Sequence, residues 1–459
     1  MSLHLRARRP SWRALLPTIV AAVALVFPAA AAADSTSPTT VSGPIPGAVP
    51  GDRTSPVLGE TYPFFSTWLD LVAGGYVEEE YYLSGGADAY STAGTLLAQN
   101  VPYTTRIIVR RPVSAENFNG NVLVEWQNVT AGYDLDALWS ARLMREGYAW
   151  VGVSAQRVGV NQLRTWSPTR YGGLDVTGGN AFTTDQMSYD IFAQAAAALA
   201  SPQGVDPLGG LQAERLLAIG ASQSASRMTT YYNVVLPQAT PIFDGYGFIV
   251  GSAPTRVGTE PIFQVLSETD VSSPASRRPD SAVFRRWEVA GAAHSGWEGQ
   301  VYRAPLADRD LGGATQYNCT NPPWSRVPLG QVVTAAYDHL ARWVDEGTLP
   351  PSAPYLEFSG ATKVRNELGL AQGGIQLSQV SVPTALNTGS NTGASFCILF
   401  GTHIPFDDAQ LDALYRNHGA YVSAVDGADA ANVAAGYIVA ADAELNQQAA
   451  AQSGVGKKK

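Results

Sequence analysis

The stretch IGASQSASR, residues 219–227, places three serines within five positions directly after a short apolar run. A serine hydroxyl is a weak nucleophile, and it attacks a carbonyl carbon only when a histidine takes its proton and a carboxylate orients that histidine. A polar helix start would use the same residues, because serine also caps helices. The choice depends on whether an acid and a histidine follow at suitable positions.

Ser222 is the strongest candidate for a nucleophile. The run RLLAIG predicts a strand that ends at Gly220, and a helix is predicted to begin by about Ser224. Ser222 then occupies the sharp turn of a nucleophile elbow, G-x-S-x-G, which holds the serine in a strained conformation with its hydroxyl exposed above the sheet. Ser224 replaces the last glycine of that pattern and is still small enough for close packing of helix on strand.

His294 is the candidate base. In EVAGAAHSGW it follows the predicted strand RRWEVA, where a loop can carry the imidazole over the sheet. His339, His403 and His418 have no buried strand before them, so we expect structural roles for all three.

Two carboxylates compete for the third role. The segment PIFQVLSETDV ends a predicted strand and offers Glu268 and Asp270. Spacing past the strand favours Asp270, with Glu268 as the alternative acid. Ser222, Asp270 and His294 then follow the chain order nucleophile, acid, histidine that is typical of α/β-hydrolases.

An oxyanion hole needs two N–H donors aimed at the developing negative charge. The N–H of Gln223, directly after the nucleophile, is the first candidate. The second is expected from VEWQNVTAGYD, after an earlier strand, with Asn128 and Val129 nearest. Asn128 also begins a glycosylation sequon, Asn-Val-Thr, which is the alternative interpretation.

The elements that must position these residues alternate between strand and helix. β-branched runs bounded by Pro, Asn and Gly predict strands, and apolar residues at helical spacing predict helices. The alternation indicates an α/β fold with a mainly parallel sheet and helices on both faces, whose ligands bind at the carboxyl ends of the strands. The predicted strands are 105–112, 121–128, 148–155, 215–220, 245–251, 261–267 and 284–291, and the predicted helices are 135–147, 187–200, 225–236 and 331–347.

Two insertions and a C-terminal extension interrupt this pattern. Residues 157–185 are polar and Gly-rich, and we expect either a lid-like excursion over the substrate or a plain surface loop. Trp126, Trp166 and Trp297 lie near the motifs and are candidates for lining an apolar acyl pocket or for packing in the core. The second insertion is 298–328; residues 351–401 are predicted to be irregular with short strands, 406–450 helical, and 451–459 a solvated tail.

The N-terminus predicts export. Four arginines precede an apolar stretch, and PAAAAAD supplies the small residues of a signal-peptide cleavage site near Ala33. A membrane anchor is the alternative, although the apolar run is short and broken by prolines. Residues 34–58 are rich in Ser, Thr, Pro and Gly and predict a flexible mature N-terminus, with folded structure from about Gly59 to residue 450.

The cysteine content and the net charge indicate which metal sites and binding partners can be excluded. In an exported chain the only two cysteines, Cys319 and Cys397, predict a disulfide rather than a metal site. The formal net charge is −9, and −13 without the four leader arginines. An acidic chain without a basic patch repels nucleic acid and anionic membranes, so we expect neither as a partner.

These motifs together resemble one family, the secreted, mostly bacterial, carboxylester hydrolases of the α/β-hydrolase fold. The resemblance covers nearly all of the mature chain and rests on GYVEEEYYLSGGADAY, VLVEWQNVTAGYD, GASQSA, QVLSETDV, VAGAAHSGW, LGLAQGGI and CILFGTHIPF. It implies the α/β-hydrolase fold and a serine mechanism acting on small or polymeric esters, with no metal or organic cofactor. A secreted serine peptidase or amidase, and a non-catalytic binding protein that keeps the fold, remain alternatives.

Overall fold

A mixed sheet positions the predicted site residues. The computed structural model describes residues 39–46 and 62–457, so the predicted signal peptide lies outside the described residues. Within them the main sheet has ten strands. These are β1 (Thr40–Ser42), β2 (Tyr76–Tyr90), β3 (Leu96–Pro112), β4 (Asn121–Trp126), β5 (Ala149–Val153), β6 (Gln203–Gly204), β7 (Arg215–Ala221), β8 (Gly245–Ile249), β9 (Ile262–Ser267) and β10 (Phe284–Val289).

The strand order is β10-β9-β8-β7-β4-β5-β3-β2-β1-β6. The six strands from β10 to β5 in that order are parallel, whereas β3, β2 and β1 continue the sheet in antiparallel pairs. Parallel neighbours need crossover connections, and helices supply them on both faces. The predicted mainly parallel α/β architecture is confirmed.

The helices of the described residues include the covering layers and a C-terminal group. The predicted helical character of residues 406–450 and the short strands of 351–401 are confirmed. The helices are α1 (Ala141–Arg145), α2 (Arg157–Trp166), α3 (Pro168–Tyr171), α4 (Ser188–Ala200), α5 (Gln223–Thr230), α6 (Trp297–Asp310), α7 (Leu329–Glu346), α8 (Ser378–Ser381), α9 (Cys397–Phe400), α10 (Asp408–Leu414), α11 (His418–Ala434) and α12 (Ala440–Gln452), and the short strands are β11 (Phe358–Ser359), β12 (Thr362–Lys363), β13 (Ala385–Thr388) and β14 (Thr402–Pro405). None of these helices is long and apolar enough to cross a bilayer.

The central strand β7 is buried on both faces. Side chains of a strand alternate between its two sides; Leu216 and Ala218 accordingly pack into the hydrophobic cluster on one face of the sheet, and Leu217 and Ile219 into the cluster on the other. The strand that leads to Ser222 is therefore fixed by packing on both sides, which makes its carboxyl end a rigid support.

Three sequence-based expectations need correction. Residues 39–46 are not flexible: Thr40–Ser42 form β1, because Val41 is buried and pairs with Leu83 of β2. The expectation for residues 157–185 holds only in part: α2 and α3 fold into the core with Leu163 and Tyr171 fully buried, whereas residues 172–185 form turns with several exposed positions. The helix predicted at 135–147 shortens to α1.

The long hairpin β2–β3 carries charges that the sequence patterns did not reveal. Its fully buried Glu78 and Glu80 pair with Arg110 and Arg106 at 2.7 and 2.6 Å. Charges are stable in a protein interior only when paired and hydrogen-bonded, so these four positions depend on one another.

Candidate active site

Ser222 occupies the turn between β7 and α5. Its φ of 57° and ψ of −115° are an unusual conformation for a non-glycine residue, and α5 begins at the next residue. Such a backbone costs about 1–3 kcal/mol and persists where the surroundings enforce it. The enforcement is visible here: Ser222 donates its N–H to the carbonyl of Ile249 at 3.0 Å, and its own carbonyl accepts from the N–H of Ser226 at 3.0 Å.

Small residues around Ser222 allow helix and strand to approach closely. A Cβ at Gly220 would lie 2.6 Å from the sulfur of Met228, and one at Gly251 would lie 2.6 Å from the Cβ of Ala225. The neighbouring Ser224 is fully buried and its hydroxyl bonds both the N–H and the carbonyl of Ala221. Ser224 therefore holds the turn and is not available as a nucleophile.

His294 and Asp270 meet at the carboxyl ends of neighbouring strands. His294 follows β10, Asp270 follows β9, and Nδ1 of the imidazole lies 2.6 Å from Oδ1 of the carboxylate. The other oxygen of Asp270 accepts from the Ser267 hydroxyl at 2.5 Å, and Thr269 Oγ1 accepts the backbone N–H of His294 at 3.1 Å. The imidazole is thus oriented from its Nδ1 side, as a general base requires.

Glu268, the alternative acid, points elsewhere. Its side chain is fully buried, forms an ion pair with Arg365, and accepts the N–H of Gly291 at 2.8 Å. Gly291 lies in the turn that leads from β10 to His294, so Glu268 braces that turn. Of the two carboxylates, the structure brings Asp270 to the imidazole.

The candidate oxyanion donors differ in how far their N–H groups are engaged. Gln223 is the first residue of α5, where a helix leaves its N–H groups without intrahelical acceptors. The N–H of Asn128 already donates to the carbonyl of Leu135 at 3.3 Å, whereas the N–H of Val129 has only a long contact of 3.4 Å to the side-chain oxygen of Gln223. Val129 is therefore better placed than Asn128.

Asn128 has a different role that the structure makes plain. Its side chain is buried, and Nδ2 donates to the carbonyl of Ala221 at 2.8 Å, at the end of β7. This bond ties the loop after β4 to the residue before Ser222. A buried amide so engaged is not accessible for glycosylation, which removes the sequon interpretation.

Ser222 and His294 both line a cavity of about 520 Å³. This size lies within the usual range for small-molecule sites, which is about 300–1,000 Å³. Its walls are largely apolar and aromatic and come from the loop after β4, from α6 and from residues near α9. The aromatic lining residues are Trp68, Tyr133, Trp139, Trp297, Tyr302, Tyr317, Tyr337, Phe396 and Phe400.

The three tryptophans named in the sequence analysis have different environments in the structure. Trp297 lines the cavity, while Trp126 is fully buried against Phe192 and Trp166 packs on Phe64 in the core. The first insertion, 157–185, contributes nothing to the cavity wall, whereas residues of the second do. Sequence reasoning did not single out Trp68 or Tyr302, because neither lies within one of the motifs and only the fold brings them to the cavity.

The predicted disulfide between Cys319 and Cys397 is present. It connects the second insertion to α9. Tyr317 and Phe400, which flank the bridge, pack edge to face at 4.7 Å and both line the cavity. The bridge therefore supports one wall of the site.

The chain has likenesses among solved structures and matches one family model. No functionally curated protein matches the sequence. Among solved structures the chain is similar to esterase Est22, with 12% identity, 43% of this chain and 66% of that chain covered, and a TM-score of 0.28. It is also similar to a prolyl endopeptidase (11%, 52% and 38%, TM-score 0.29) and to oligopeptidase B from Trypanosoma brucei (11%, 53% and 38%, TM-score 0.30).

The chain spans just under two thirds of the length of Est22, and at these scores the likenesses decide nothing about substrate. A family model described as an alpha/beta hydrolase domain matches residues 41–447, which is most of the chain and includes every residue of the candidate site. The chain therefore belongs to the alpha/beta hydrolase domain family.

Proposed function

We propose that the protein is a serine hydrolase that cleaves carboxylic esters through an acyl-enzyme. The observation that carries the proposal is the strained turn of Ser222 at the wall of the cavity that His294 also lines, with His294 held by Asp270 at 2.6 Å. A serine in such a turn exposes its hydroxyl, and an imidazole oriented through Nδ1 presents Nε2 as the base.

The chemistry follows from these positions. The Ser222 hydroxyl attacks the ester carbonyl while His294 takes its proton, and Asp270 stabilises the imidazolium that forms. The N–H groups of Gln223 and Val129 are the proposed donors to the tetrahedral oxyanion. His294 then returns the proton to the leaving alcohol, and water attacks the acyl-enzyme by the reverse sequence to regenerate Ser222.

The cavity lining favours an ester over a peptide. Its aromatic wall offers apolar surface for an acyl or alkyl group, and an extended peptide would need backbone hydrogen-bond partners along its length. We further propose that the protein is exported, which the disulfide between Cys319 and Cys397 supports, because such bridges persist in oxidising compartments.

The test compares substrates and then the nucleophile. A panel of p-nitrophenyl esters from acetate to palmitate is assayed beside an aminoacyl p-nitroanilide, and we expect turnover of esters with a preference for one chain length. A fluorophosphonate probe should label the wild type and not Ser222→Ala. Turnover of the anilide alone would make the protein an amidase, and failure of both turnover and labelling would make it a non-catalytic member of the family.

A further inference from the structure

The charged side chains in the cavity wall differ in whether they have a partner of opposite charge. Among the residues that the structure describes, two arginines and one glutamate line the cavity besides His294. Arg142 forms ion pairs with Glu298 at 2.5 Å and with Asp442 at 3.1 Å, so the glutamate of the cavity wall already has a cationic partner. Arg303 has no carboxylate within 4.0 Å among residues 39–46 and 62–457. The cavity therefore holds one guanidinium without an anionic partner.

The position of Arg303 relates it to the reacting groups. It lies on α6, and its guanidinium donates to the Ser295 hydroxyl at 2.5 Å. Ser295 is the residue after His294, so the cation lies beside the candidate base. A Cβ at Gly299 would come within 2.8 Å of the guanidinium, so the side chain of Arg303 lies over the preceding turn of α6.

The surroundings of Arg303 make its charge costly. Burial lowers the pKa of the guanidinium, and the nearby phenols of Tyr133, Tyr302 and Tyr317 and the carboxylate of Asp136 only partly offset this. Asp136 is already paired with Arg110 at 2.5 Å. A half-buried cation without a carboxylate partner is unfavourable unless something else supplies the negative charge, and Arg303 lines the cavity.

We propose that Arg303 binds a carboxylate of the substrate, so that the natural ester is anionic, with a free carboxylate on its acyl or its alcohol part. This rests on the proposed ester hydrolysis at Ser222. Arginine matches a carboxylate by two parallel hydrogen bonds, which is the geometry an anionic ester would use. The aromatic wall contacts the apolar remainder of the molecule. Hydrolysis of such an ester releases a second carboxylate or a carboxylate-bearing alcohol.

The experiment measures kcat/KM for two pairs of esters that differ in charge. The acyl pair is mono-p-nitrophenyl adipate and p-nitrophenyl hexanoate; the alcohol pair is 4-acetoxybenzoate and 4-acetoxybenzamide. We expect the wild type to prefer the anion in at least one pair. In Arg303→Gln the ratio of anion to neutral ester should fall about 10- to 100-fold, the loss typical of hydrogen bonds to a charged group, and Arg303→Lys should restore part of it.

Arg326→Gln is the matched control, because Arg326 is exposed, stacks on Trp297 at 4.5 Å and does not line the cavity. Its ratio should equal that of the wild type. If the wild type hydrolyses the anionic and the neutral ester of both pairs with equal kcat/KM, the inference is overturned while ester hydrolysis stands. The same holds if the ratio of anionic to neutral kcat/KM falls as much in Arg326→Gln as in Arg303→Gln. Absence of hydrolysis together with absence of fluorophosphonate labelling would instead refute the proposed function.

Discussion

Replacing each of two carboxylates two residues apart should separate catalysis from stability. Asp270→Asn keeps the size of the side chain but no longer fixes the tautomer of His294 or stabilises its protonated form. Such a change costs up to about 10⁴-fold in kcat. The bonds from Ser267 can persist to the remaining amide oxygen, so the free energy of unfolding should change by less than about 1 kcal/mol.

Glu268→Gln should show the opposite pattern. Its carboxylate is fully buried, whereas the Arg365 side chain is 29% exposed, so the cation left behind regains water. Breaking a fully buried pair costs about 3–5 kcal/mol, and solvent access to one partner lowers this to roughly 2 kcal/mol. The amide oxygen can still accept the N–H of Gly291, so kcat should fall at most about tenfold.

Both variants are assayed together. Turnover of a p-nitrophenyl ester gives kcat, urea unfolding followed by circular dichroism gives the free energy of unfolding, and fluorophosphonate labelling reports the competence of Ser222. The argument from geometry is refuted if Glu268→Gln loses most of its kcat but unfolds like the wild type while Asp270→Asn stays active. Glu268 would then be the acid.

Three further predictions follow from the same structure. Ser222→Ala should lower kcat by about four to six orders of magnitude with folding intact, whereas Ser224→Ala should lose about 1–2 kcal/mol of stability and little activity; the assignment fails if Ser224→Ala alone abolishes labelling. Thiol titration of the denatured, unreduced protein should find about zero free thiols, and two titratable thiols would contradict the bridge. Cys319→Ser, which removes the bridge to Cys397 across 78 positions, should lower the free energy of unfolding by about 2–5 kcal/mol. Burial, reinforced by a neighbouring carboxylate, raises the pKa of Glu125 to about 8. Above about pH 4.5 the folded state therefore keeps a proton on Glu125 that the unfolded state has released. The free energy of unfolding of the wild type, relative to that of Glu125→Gln, should fall by up to about 5 kcal/mol as the pH rises to 8. Parallel pH profiles of stability for the two proteins would disprove this prediction.

Local sequence was enough to predict the turn at Ser222 and the strands that lead to Ser222, Asp270 and His294. Gly220, Ser222 and the following helix lie within one strand–turn–helix unit, whose conformation depends on neighbours along the chain. The strands before Asp270 and His294 are continuous apolar runs, because both faces of a parallel strand are covered. Residues at the ends of such strands meet at one edge of the sheet, so their convergence was predictable without coordinates.

Other features depended on partners distant in sequence. Glu268 and Asp270 are equally acidic and nearly adjacent; only the placement of Arg365, almost one hundred residues later, assigns one of them to bracing the turn before His294. Val41 joins the sheet because β2 offers it a buried edge, which no local propensity of a Ser- and Thr-rich segment indicates.

The sequence by itself therefore determined the fold class, the turn at Ser222 and the pairing of the two cysteines, since each follows from local pattern or from a count. Only the tertiary structure decided which carboxylate faces the histidine, which aromatic residues form the cavity, and that Arg303 enters it without an anionic partner among the described residues. The physical reason is that burial and charge pairing are properties of the assembled interior, where a side chain's role is set by the groups that fold against it.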